Sequence, residues 1–117
     1  LREVNYVREE IGTQLAKKLQ GTISGFSTAS MERRDGDEYA FNDPLLEKLL
    51  IEIYSHGQKN VVLAQLFLAP GRHAGPEGDI EKICLPFEND GLKIHKLTTL
   101  GNHPYIIEIL AERIAGI

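Results

Sequence analysis

Leu1, Val4, Val7, Ile11, Leu15 and Leu19 recur three or four positions apart, which predicts an amphipathic helix with one apolar stripe. Lys17 and Lys18 fall in its last turn, and Gly21 stands where a C-cap belongs. Thr22 to Ala29 reads as a strand through Ile23, Phe26 and Thr28, although Gly25 weakens the pattern. The charged stretch Glu32 to Phe41, with Asp35-Gly36-Asp37 inside it, predicts an exposed loop. Asn42-Asp43-Pro44 supplies a cap and a first-turn proline for a second helix. Its buried face is Leu45, Leu46, Leu49, Leu50, Ile53 and Tyr54, and Gly57 stops it. Asn60 to Leu68 is short and almost wholly apolar, the mark of a central parallel strand buried on both faces. Ile80, Ile83, Cys84 and Phe87 predict a helix starting near Asp79. Leu92, Ile94 and Leu97, alternating with Lys93 and Lys96, predict a last, less buried strand. Leu100 to Pro104 reads as a strand-to-helix turn, and Ile106, Ile107, Leu110 and Ile114 line a final helix.

This alternation of helices and strands predicts an α/β fold, a three-layer doubly wound parallel sheet with helices on both faces. Such a sheet normally opens with a strand, whereas this chain opens with a helix. The expectation is a first strand upstream of Leu1, and a single domain over residues 1–117.

Composition narrows the picture. The apolar fraction of 42% and charged fraction of 26% are those of a globular protein able to build a core. A net charge of −4 argues against broad nucleic-acid binding, which needs a basic face. The lone cysteine, Cys84, allows no internal disulfide and no Cys-rich metal site, and reads as a small buried residue on a helix. No apolar run reaches the roughly 20 residues that span a bilayer, and no signal-peptide pattern is visible.

The candidate chemistry gathers at Leu66 to Ile80. An apolar run stops at Pro70-Gly71, Arg72 and His73 follow, and a glycine-rich acidic loop comes next. In open α/β sheets ligands bind beyond the carboxyl ends of the strands. His73 in that place suits a metal ligand or a proton acceptor near neutral pH, or simply a loop histidine bonded to the backbone. Arg72 either holds a carboxylate or phosphate or pairs with Glu77 or Asp79. Glu77, Asp79 and Glu81 form an acidic group beside His73 that suits a divalent metal or proton removal; Asp79 also fits a helix N-cap and Glu81 a first-turn residue, which leaves Glu77 as the carboxylate without a structural duty. Glu32 closes the predicted second strand, and His103 sits before Pro104 at a third strand-to-helix turn. A parallel sheet would bring both to the edge of His73. His95 and His56 read as a strand-surface and a helix-end residue. The glycines do not form a dinucleotide fingerprint or a Gly-Lys-Ser/Thr phosphate loop, and no Ser or Cys is placed as a nucleophile beside a base.

Leu66-Phe67-Leu68-Ala69-Pro70-Gly71-Arg72-His73, followed by Gly78-Asp79-Ile80, resembles the small class II tetrapyrrole chelatases, the CbiX/SirB-like sirohydrochlorin chelatases. Their pattern is Pro-Leu-Phe-Leu-x-Pro-Gly-Arg-His and then Asp-Ile; Gln65 stands here for the first proline. Leu100-Gly101-Asn102-His103-Pro104 is similar to their Leu-Gly-x-His-Pro turn, and Met31-Glu32 with Asp43-Pro44 gives a weaker third match. The likeness runs from about Thr22 to the end. The family's further histidine, in a His-Gly-Ser-like motif after its first strand, has no counterpart in this chain, and the stretch Arg33 to Phe41 is longer than the family's.

The resemblance implies insertion of Co²⁺ or Fe²⁺ into sirohydrochlorin, in cobalamin or siroheme biosynthesis, with no permanently bound cofactor. It implies His73 as metal ligand or proton acceptor and Glu32 as an acidic helper. Arg72 and His103, with Arg33 or Arg34, would orient the carboxylate-rich substrate, and Glu77 would share the metal. It also implies a homodimer or a second chelatase lobe closing the cleft, no nucleic acid or membrane partner, and a cytoplasmic or plastid-stromal location. A non-catalytic tetrapyrrole- or metal-binding module and a flavodoxin-like interaction domain are the rival readings.

Overall fold

The computed structural model describes residues 2–31 and 36–117, which form two compact units, Leu1–Ile53 and Tyr54–Ile117. Among the described residues, no helix is long and apolar enough to cross a membrane.

In the first unit, α1 spans Arg2–Lys18, close to the predicted bounds. Its apolar stripe does not turn inward: Val7, Ile11 and Leu15 stay exposed, while Gly12 is buried. The polar side is held instead. Arg8 Nη1 donates to Ser30 Oγ, and Thr28 Oγ1 donates to Glu9 Oε1 at 2.6 Å. The Thr28 hydroxyl, with the Arg8 guanidinium behind it, keeps the Glu9 carboxyl below the usual glutamate range. The predicted strand Thr22 to Ala29 is not one. Among the described residues that stretch takes part in a single bridge, Ile23 to Gln20, and Ser30 just after it bridges Leu45. A strand exists through its backbone partner, and here Glu9 of α1 holds Thr28 by a side chain instead.

The expected loop Glu32 to Phe41 partly winds into a 3₁₀ turn over Asp37–Asn42. The next helix, α2, begins at Leu46 rather than at Pro44 and runs to Ser55. Ser30 accounts for the delay, because its N–H donates to Pro44 O and its carbonyl accepts from Leu46 N, keeping Pro44-Leu45 extended. Leu46 and Leu50 are buried.

In the second unit, β1 (Asn60–Leu63) pairs in parallel with β2 (Lys93–Lys96), Val61 opposite Ile94 and Val62 opposite His95. This is a two-stranded sheet among the described residues, so the three-layer expectation is met only as a mixed α/β fold with a small parallel sheet. Nor is β1 buried on both faces, since Val62 is 62% exposed. Between the strands lie α3, the single turn Gly71–Ala74, and α4, Asp79–Asn89. Helix α4 packs against α3 and β2. Ile80 and Cys84 of α4, with Leu92 and Ile94, are the buried hydrophobic side chains of this unit. Burial pushes the Cys84 thiol up, which leaves it an unreactive packing group. Helix α5, Pro104–Ala115, completes the chain.

Candidate functional site

The strands continue side by side past their ends. Leu97 N–H donates to Leu63 O, Leu100 N–H to Phe67 O and Gly101 N–H to Leu68 O, at 2.8 to 3.0 Å. Gln65 Nε2 adds a bond to Leu97 O at 2.6 Å. The turn carrying His73 and the turn carrying His103 therefore leave one shared carboxyl edge, where open α/β sheets bind ligands. Contact there is tight enough to demand glycine: a Cβ on Gly101 would stand 2.2 Å from Leu68 O.

Beyond Pro70 the chain folds back on itself in nine residues. Ala74 N–H donates to Pro70 O, and Gly78 N–H to Gly75 O. Gly78 faces three carbonyls, those of Arg72, His73 and Gly75, each 2.7 to 2.8 Å from where its Cβ would be. Only a residue without a side chain lets the loop close, and closing it carries Asp79, the first residue of α4, onto His73.

His73 Nδ1 and Asp79 Oδ2 are 2.8 Å apart, with side chains 27% and 41% exposed. The carboxylate oxygen accepts, so Nδ1 carries the hydrogen and Nε2 of the neutral ring keeps its lone pair. Phe67 stacks on the same ring, centroids 5.7 Å apart and planes 20° from parallel. The imidazole is thus fixed in tautomer by one neighbour and in plane by another. A carboxylate behind a histidine orients the ring and fixes which nitrogen faces outward.

The other candidates fall as follows. Arg72 is exposed on α3, one residue before His73. Glu77 is exposed with φ of 57° and is not the carboxylate that meets His73; Asp79 is. His103 caps α5, its Nδ1 accepting from Tyr105 N–H at 3.2 Å, which leaves Nε2 outward. Glu32, Arg33 and Arg34 lie outside the described residues. Among the described residues no three His, Cys, Asp or Glu side chains converge as a metal cage. Two hollows lie elsewhere. One of about 460 Å³ lies in the first unit against Glu9, Gly12 and Phe26, and one of about 270 Å³ lies at the amino ends of the strands, against Tyr54, Lys59 and Asp90. Phe67 is the residue that composition and position passed over, and Asp79, one of the acidic group beside His73, reads first as a helix-start residue; both stand inside the motif that carried the resemblance.

A parallel strand pair with a histidine–carboxylate couple at its carboxyl edge places this chain among mixed α/β proteins. The CbiX family model matches residues 12–117, and the chain belongs to the CbiX family. Membership implies chelatase-type chemistry, the setting of a metal ion into a tetrapyrrole. No curated protein and no solved structure matches the chain.

Proposed function

We propose that this protein inserts Co²⁺ or Fe²⁺ into sirohydrochlorin, with His73 as the working base. The observation that carries the reading is the His73–Asp79 couple at the shared carboxyl edge of β1 and β2. A metal ion entering the macrocycle replaces two pyrrole N–H protons. The lone pair on His73 Nε2 accepts one of them, and Asp79 stabilises the imidazolium that forms. The same nitrogen can hold the incoming ion, since imidazole suits cobalt and iron alike.

Arg72, beside His73, supplies a fork for the substrate's carboxylates, and His103 presents Nε2 on the same edge. Leu66 and Leu68, 50% and 66% exposed on the way to the loop, offer apolar surface to a flat ring. Glu77 and Glu32 are assigned supporting roles on the metal and on proton removal. In this reading β1 and β2 are two strands of the larger doubly wound sheet that the family likeness implies. A second lobe, from a second copy or a longer chain, closes the cleft over the macrocycle. The reaction is placed in the cytoplasm, with the plastid stroma as the alternative.

The test mixes full-length protein with sirohydrochlorin and either metal and follows the absorbance change of insertion. Acceleration over metal alone supports the reading, and a rate equal to the uncatalysed one sinks it.

A further inference from the structure

Leu92, Ile94 and Lys96 share one face of the last strand, by its period of two, and the first two are buried. Lys96 thus takes a core-side position, not the outward one its charge suggested, and its side chain is only 19% exposed. Its ammonium donates to Glu81 Oε2 at 3.0 Å and to Glu88 Oε1 at 3.2 Å. Glu81, Cys84 and Glu88 stand three and four apart, so this clasp grips one face of α4 across two turns. Asp79 is the first residue of that helix, two before Glu81. Its distance from His73 is therefore set by where α4 sits, because only residues 75–78 join α3 to α4.

We propose that Lys96 is a positioning residue for the His73–Asp79 couple. By holding Glu81 and Glu88 it fixes the height and rotation of α4 on β2, and with them the carboxylate at the helix start. An apolar side chain in its place would pack as well or better, since a partly buried ion pair returns little net stability after desolvation. What the charge adds is a register that a hydrophobic contact, without direction, does not impose. The effect on rate rests on the chelatase reading, whereas the effect on geometry does not.

The experiment compares full-length wild type with Lys96→Met, Lys96→Arg and Asp79→Asn. Its first readout is the ¹⁵N ring spectrum of His73, which reports the Nδ1–H tautomer without metal or tetrapyrrole. Lys96→Met is expected to move that spectrum toward the Asp79→Asn spectrum and to slow insertion about three- to tenfold. Lys96→Arg is expected to restore both. A folded Lys96→Met protein with the wild-type ring spectrum overturns the proposal, whatever its rate. Should Lys96→Met fail to fold, Glu88→Gln removes one arm of the clasp and decides on the same spectrum. Insertion by His73→Ala reads the chelatase assignment separately.

Discussion

Nδ1 of His73 is tied to Asp79, and the proposed function gives Nε2 the proton or the metal. Removing the tie while keeping its shape should release the tautomer. Asp79→Asn is expected to lower the insertion rate about tenfold with an unchanged circular dichroism spectrum, as loss of a carboxylate behind a metal-facing histidine does. Glu77 offers the opposite case. Its φ of 57° is a left-handed conformation that costs a residue with a Cβ about 1 kcal/mol, and glycine adopts it freely. Glu77→Gly is expected to raise the unfolding free energy in urea by up to about 1 kcal/mol; a fall in insertion rate beyond the change in folded fraction would give Glu77 its metal role. The choice between the two carboxylates was not legible locally. Asp79 had a sufficient explanation as a helix-start residue, and the contact that gives it a second duty depends on the loop closing over Gly78. His73 and His103 were legible because Pro70-Gly71 and Pro104 mark where extended chain ends.

Helix periodicity survives translation into structure better than strand content does. The bounds of α1 and the start of α4 follow the 3.6-residue pattern, because a helix satisfies its own backbone. Asn60 to Leu68 carries strand-like residues throughout, yet only Asn60–Leu63 forms ladder with β2, because strand length is set by the neighbour. Thr22 to Ala29 shows the same limit, and Lys96 shows that charge alone does not say which way a strand residue points. Past the ladder, Gly101 holds the two turns together through its N–H to Leu68 O. Gly101→Ala would push a methyl to 2.2 Å from that oxygen. It is expected to destabilise by about 1 to 3 kcal/mol in chemical unfolding, and to slow insertion by separating the two histidine turns.

Across the whole molecule the charge balance is acidic, −4 overall, so each lysine held between carboxylates matters to the pH response. Burial alone would lower the Lys96 ammonium, but the hydrogen bonds and charges of Glu81 and Glu88 outweigh it and hold the group above the usual lysine range. A raised lysine stabilises fully below its unfolded value of about 10.4 and loses that contribution as pH climbs through the folded one. Wild type is therefore expected to lose urea stability above about pH 10.4 more steeply than Lys96→Met. Parallel slopes would remove the clasp from the stability of the fold. The central claim is that a chelatase base stands at the shared edge of the two strands, and it concentrates on one side chain. The direct measurement is sirohydrochlorin metal insertion by full-length His73→Ala beside wild type. The account predicts a rate at least about tenfold lower with the fold intact, and an undiminished rate contradicts it.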